Sequence, residues 1–281
     1  MSPTGASSAH TWLARLGLQV RVGEGGLFTL LFGAHFLLLA FQYTAKSVRQ
    51  STFIDVLGAE NLPWAYLLVA VASYPLLLLF GRLSARHDLS RVLTVASLVA
   101  AVSLLAFAWI FLVFPHASWP TLVFYLWTAV VGVLLVSQFW SYAAARLDAR
   151  QARRLFAPVG AGGILGSIAG GQLARLGTLG PERWHGWGAQ GALILGAGVL
   201  VLLAAVLTLS RRGPSLAAPE PPRLDPRAGK NLVRRSRYVQ LISAATLLSA
   251  LVAQVVDLQF AWVLEERTQD LAERTAAYGN L

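Results

Sequence analysis

The chain has 281 residues, 56% hydrophobic and 13% charged, with a net charge of +10 and no cysteine. Disulfides, thiolate metal sites and cysteine nucleophiles are therefore excluded. A basic excess of this size would suit nucleic acid, but its distribution along the chain points elsewhere.

Residues 1–26 contain no apolar core segment and so do not read as a cleavable signal peptide. Within them, 10–22 has the pattern of a short amphipathic helix lying on a membrane surface, with Trp12, Leu13 and Leu16 in the lipid. Residues 1–9 read equally well as a disordered leader. Seven apolar stretches then follow, at 27–44, 62–80, 92–114, 122–145, 156–173, 188–209 and 238–264. Each is close to the roughly 20 residues that cross a bilayer. In hydrocarbon the backbone must satisfy itself, so these stretches are expected as helices, and the alternation of a membrane barrel is absent. The expected fold is all-α: a six-helix bundle over 27–209 and a seventh helix at 238–264. Between them, 210–237 carries Pro219, Pro221, Pro222 and Pro226 among many arginines, and reads as a flexible basic linker. Residues 265–281 read as an outer tail that begins the next loop.

Charge fixes the expected orientation. Counting Lys, Arg, Asp and Glu, residues 1–26 carry +1, the six loops run near 0, +2, 0, +3, +1 and +6, and the tail carries −2. Every second loop is basic, which places the N-terminus and the 2–3, 4–5 and 6–7 loops in the cytoplasm. Trp64, Trp119, Trp184, Trp187 and Trp262 then fall near the outer ends, as an interfacial aromatic belt does. The basic loops face anionic lipid on this reading, with no nucleic-acid partner. The expected location is the inner (plasma) membrane of a bacterium.

His35, Gln42, Lys46 and Arg49 are spaced by 7, 4 and 3, which puts all four on one helical face. Two readings of Lys46 and Arg49 stand open: binding of substrate phosphates, or snorkelling to the outer interface. Asp257 is the one carboxylate deep inside an apolar stretch, with Gln254 a turn earlier. It suits proton coupling, or pairing with Lys46 or Arg49 from across a cavity. Gln138 shares a face with Ser141 and is a further candidate for the cavity wall; hydrogen bonding between helices is the alternative. Arg146, Arg150, Arg153 and Arg154 follow i, i+4, i+7, i+8 spacing and are expected to form one basic face that extends the fourth helix. They serve either as an inner gate that attracts anions or as lipid contacts that set topology. Gly162, Gly166 and Gly170 recur every four residues, a small-residue stripe that lets helices approach closely. The glycines lack the strand and βαβ setting of a dinucleotide loop. No nucleophile–base pair, paired carboxylates or metal-ligand spacing occurs, so neither catalysis, nor a metal, nor a cofactor is expected.

Six helices, a long basic loop and a further helix form the layout of major facilitator transporters. In the loop GRLSARHDLSR, Gly81, Arg86 and Arg91 fit that group's cytoplasmic latch, with Ala85 at its acidic position. Two longer segments are more specific: YTAKSVRQSTFIDVLGAENLP at Tyr43–Pro63, and FWSYAAARLDARQARRLFAPVGAGGILGSIAGG at Phe139–Gly171. Together they resemble the ATP/ADP translocase family of nucleotide transporters and its bacterial relatives. Lys46 and Arg49 match two basic positions of the family pattern, with Gln50 in place of aspartate. Trp140, Ala152, Arg153, Arg154, Phe156 and Gly160 match the second pattern, with Ala144 for asparagine and Gln151 for glutamate. The resemblance implies a secondary transporter that moves nucleotides by alternating access, needing a second six-helix half or a second copy as partner. It also implies that the chain is truncated. The alternative is a non-transporting membrane sensor or anchor derived from a transporter half.

Overall fold

The computed structural model describes residues 21, 24–84, 88–178, 188–210, 236–268 and 271–279. They are almost entirely helical, in eight α-helices, with no strand among them. In chain order these are α1 (Gly25–Leu57), α2 (Leu62–Ser84), α3 (Leu89–Val113), α4 (Ser118–Arg146), α5 (Ala149–Thr178), α6 (Gly188–Ser210), α7 (Arg237–Arg267) and α8 (Leu271–Gly279). A 3-10 turn, Ala59–Asn61, links α1 to α2. Five of them, α1, α3, α4, α6 and α7, are long and apolar enough to cross a membrane by length and composition. Helices also stand at the other two apolar stretches, α2 and α5; Pro75 lies inside α2, and a run of glycines lowers the apolarity of α5. The surface helix expected at 10–22, Arg21 apart, and residues 211–235 of the linker expected at 210–237 lie outside the described residues.

The first helix runs well past the apolar stretch that announces it. Most of residues 43–52 are polar, yet their hydroxyls bond back into the helix: Thr44 donates to the Ala40 carbonyl, Ser47 to that of Tyr43 and Ser51 to that of Ser47. The helix stops where Gly58 takes φ +78°, a conformation that costs glycine little and other residues much. At 33 residues it is about 50 Å long, longer than the ~30 Å apolar slab of a bilayer.

α1 is the axis of the bundle. α5 packs along it most extensively, followed by α6 and α4, and α3 packs on α6. The α1–α5 contact is parallel and very close. A Cβ added at Gly162 would stand 2.7 Å from the Phe32 carbonyl oxygen, and Cβ atoms at Gly166 and Gly170 would collide with the carbonyls of Phe36 and Ala40. Both helices thus advance four residues at a time, so each missing side chain admits the next carbonyl. Thr44 closes the contact by donating also to the Gly170 carbonyl at 2.9 Å. Leu38, Phe41, Leu104, Phe124, Phe139 and Leu200 fill the core around this axis.

α7 and α8 depart from the expected layout. Only Ala261 and Leu264 of α7 are buried, and it meets the bundle through its C-terminal half. The chain then turns back. α8, which falls in what reads as an outer tail, packs against α1 and α5, with the Gly279 backbone against Gly171. Arg274 anchors it: buried, it donates to the Thr268 carbonyl at 2.7 Å and lies 3.6 Å from Asp55 of α1. Thr275 and Ser51 share a short hydroxyl–hydroxyl hydrogen bond. Glu265 accepts the Ala59 amide at 3.2 Å, which ties α7 to the turn after α1.

Candidate functional site

Gln42, Lys46 and Arg49 project from one face of α1 into a cavity of about 370 Å³. Tyr66 and Val69 of α2, Tyr125, Thr128 and Val133 of α4, and Leu251 and Gln254 of α7 line it as well. The face exists because the spacings 4 and 3 bring side chains into register on a helix. α5 packs closely along α1 as far as Thr44, whereas α7, on the cavity side of Lys46, packs on α1 only sparsely.

Lys46 is paired. Its Nζ lies 2.9 Å from Asp257 Oδ2 and 3.2 Å from Oδ1, with the two side chains 33% and 29% exposed. A second cavity of about 230 Å³ adjoins this pair, between Tyr43, Ser47, Val256, Phe260 and Tyr278. Lys46 borders both spaces.

Arg49 is in a different state. Its guanidinium carbon sits 4.6 Å from the centre of the Tyr125 ring, a favourable stack that supplies no counter-charge. Its Nε is buried without a hydrogen-bond partner. Among the described residues no carboxylate lies within ion-pair distance of it. Gln42 Oε1 is likewise buried and unpartnered, and Gly132 makes room for this side chain, since a Cβ there would stand 3.0 Å from Gln42 Nε2. A planar donor set with one face on an aromatic ring and its edge free is suited to carboxylate, sulfate or phosphate oxygens.

The remaining candidates are dispersed. Gln138 does not border the cavity; five residues beyond Val133, it is turned about 140° around α4, and its buried Oε1 has no hydrogen-bond partner. His35 shares the polar face of α1 but lies about 10 Å below Gln42. There it stacks on Phe139 at 4.7 Å, meets the edge of Trp140, and bonds the Val159 carbonyl through Nδ1 at 3.0 Å. It is a core histidine, and a Cβ on Gly163 would strike its ring.

The four arginines do not form one face extending α4. That helix ends at Arg146, and Asp148 starts a new one by accepting the amides of Arg150 and Gln151 at 2.8 Å, while Gln151 Oε1 accepts the Asp148 amide. This capping box breaks the register assumed for a single helix. Arg146 lies over the Tyr142 ring, Arg150 and Arg153 are exposed, and Arg154 turns to Glu24 at the start of α1, 2.8 Å away. At the other expected gate, Gly81 stands in the last turns of α2 and Arg91 is exposed near the start of α3, where Asp88 caps the helix. Arg86 lies outside the described residues. No group of three or more metal-ligating side chains occurs among the described residues.

Tyr125, which stacks on Arg49, and Tyr66, which lines the same cavity, stand in no pattern that marks them in the sequence. The pair of buried Arg274 and partly exposed Asp55 is also unmarked in the sequence, because their positions, 219 residues apart, meet only through the reversal of α8. Comparison with protein families, curated proteins and solved structures finds no match for this chain.

Proposed function

We propose that the chain belongs to a secondary transporter of the major facilitator type, which moves an anionic solute across the membrane by alternating access. The observation that carries this reading is Arg49: a cation with a buried, unpartnered Nε at the wall of a cavity between α1, α2, α4 and α7. A charge in such a place is costly unless a ligand compensates it. Lys46 supports the same reading. It stands at the border of two cavities and pairs with α7, a helix held by few contacts and so free to rock against α1. The close, carbonyl-lined contact of α1 with α5 provides a rigid body for such a motion. The basic loops orient the N-terminus toward the cytoplasm of a bacterial cell, and a second six-helix half or a second copy completes the pathway. The resemblance in Tyr43–Pro63 and Phe139–Gly171 makes nucleotides one class of anion to test.

Counterflow in proteoliposomes tests this. Labelled organic anions loaded against themselves are expected to exchange in wild-type vesicles and not with Arg49→Gln, and labelled ADP loaded against ATP tests whether nucleotides are among the solutes. Exchange of other anions without ADP removes the nucleotide assignment alone. Absence of exchange by every anion, from a protein carrying both halves, removes the transport reading.

One observation favours a second reading, a non-transporting membrane module. α8 occupies the groove beside α1 and α5 and is held there by Arg274 and Thr275, as an element that seals a bundle would be. Stabilisation of the purified protein by anions counts against it.

A further inference from the structure

The cavity beside Arg49 is lined by two cations, Lys46 and Arg49, and by no carboxylate, while Asp257 borders the adjoining space. Lys46 and Asp257 cancel each other at 2.9 Å. Arg49 has an aromatic ring beneath it and no carboxylate beside it among the described residues. The other lining side chains are uncharged. The space therefore carries a net charge of one, and a ligand brings it to zero with one negative charge. A second or third charge would meet no further free cation there and would stand near the carboxylate of Asp257. The walls contributed by Val69, Val133, Leu247 and Leu251 are apolar and favour an apolar body over a solvated sugar or a chain of phosphates.

We propose that this cavity takes a singly charged organic anion with an apolar body, and that Asp257 sets this preference by neutralising Lys46. Asp257 is thus a specificity-determining residue that discriminates against phosphomonoesters and polyphosphates without touching the anion. The inference rests on the anion-transport reading and goes beyond it by fixing the charge of the solute.

Two probes of nearly the same shape separate the cases. Phenyl sulfate carries one charge; phenyl phosphate carries close to two at pH 7.5, since its second ionisation lies near 6. ADP is the third probe. With the full chain in lipid nanodiscs, the rise in unfolding midpoint with ligand concentration reports each affinity. Wild type is expected to bind phenyl sulfate roughly three- to tenfold tighter than phenyl phosphate or ADP. Asp257→Asn frees Lys46 and is expected to reverse that order. Arg49→Gln loses both ligands, and Arg49→Lys, which keeps the charge, retains the wild-type order and covers the case in which the glutamine variant does not fold.

Tighter, Arg49-dependent binding of phenyl phosphate or ADP to wild type would overturn the charge assignment while leaving anion transport in place. An unchanged order in Asp257→Asn would overturn the role of Asp257. No stabilisation by any of the three probes, in wild type and in Asp257→Asn alike, would overturn the anion reading and this inference with it.

Discussion

Lys46 Nζ meets Asp257 Oδ2 at 2.9 Å, and this ion pair joins the axial helix α1 to α7, in which only Ala261 and Leu264 are buried. Each side chain is about a third exposed, so the pair is worth far less than a fully desolvated one. A double-mutant cycle of Lys46→Met and Asp257→Leu is expected to give a coupling of about 0.5–1 kcal/mol in thermal unfolding. The structural effect is larger than the energetic one, because few other contacts hold α7. A single cysteine placed at Gln254 in this cysteine-free chain is expected to react several-fold faster with a maleimide in Asp257→Leu than in the parent. Equal reactivity would mean that the pair does not hold the helix.

The α1–α5 contact makes a sharper prediction, since neighbouring glycines of α5 differ completely in what surrounds them. Alanine at Gly166 or Gly170 drives a Cβ into the carbonyl of Phe36 or Ala40. Neither helix can yield without separating along its length, so each change is expected to cost about 1–3 kcal/mol. Gly160 has nothing within 4 Å of its would-be Cβ. There the same substitution is expected to stabilise by a few tenths to about 1 kcal/mol, through helix propensity alone. Thermal unfolding of the three variants in one detergent decides the matter, and destabilisation by Gly160→Ala would count against the assigned register.

These helices differ in how far the sequence discloses them. Seven apolar stretches are enough to locate seven helices, because length and apolarity decide what can sit in a bilayer. Their ends are less legible. Apolarity stops at Thr44, but helicity does not, since the hydroxyls of Thr44, Ser47 and Ser51 satisfy themselves within the helix and Gly58 sets the real end. The polar face of Gln42, Lys46 and Arg49 is legible from spacing. Which of its members meet a cavity is not, because that depends on the neighbours: α4 and α5 close over His35 and leave Arg49 open. Gln138 shows the same limit from the other side. Its polarity marks it, but its angle around α4 turns it away from the cavity. The nine residues of α8 give too short a pattern to register, and their place follows from Gly171, which accepts a backbone only when another glycine, Gly279, brings one.

α8 is held by polar contacts, so its release is expected to follow from losing one of them. Arg274 is buried and serves both Thr268 and Asp55. Arg274→Ala leaves the Thr268 carbonyl without its donor and the partly exposed Asp55 without its counter-charge, at a cost of about 1–3 kcal/mol. The docked helix is a small part of the fold, so local release precedes global unfolding. A cysteine at Ala277 is expected to be labelled roughly tenfold faster in Arg274→Ala than in the parent, with the main unfolding midpoint lowered by much less. A matching fall in both would show that α8 is part of the cooperative core.

The two helices that carry the glycine contact are also clamped at their N-terminal ends, and this clamp titrates. Glu24 accepts from Arg154 Nη2 at 2.8 Å, from the Arg21 amide at 3.0 Å and from Gln151 Nε2 at 3.3 Å. Burial by itself raises the pKa of this carboxyl. The hydrogen bonds and the Arg154 charge outweigh it, and the group is held below the ordinary glutamate range. A folded-state pKa below the unfolded one means that the unfolded chain binds the proton more readily. The stabilisation is therefore complete above the ordinary value, about 4.3, and is lost as pH falls through the depressed folded value. Glu24→Gln removes this dependence and keeps the shape of the side chain. Near pH 7 it is expected to cost about 1 kcal/mol, and the gap to wild type should close as pH drops below about 4.3. Other carboxylates titrate in the same window in both proteins, so the difference between the two curves isolates Glu24. A gap that stays constant down to pH 3 would show that the clamp acts through packing of Glu24 and Arg154 rather than through charge.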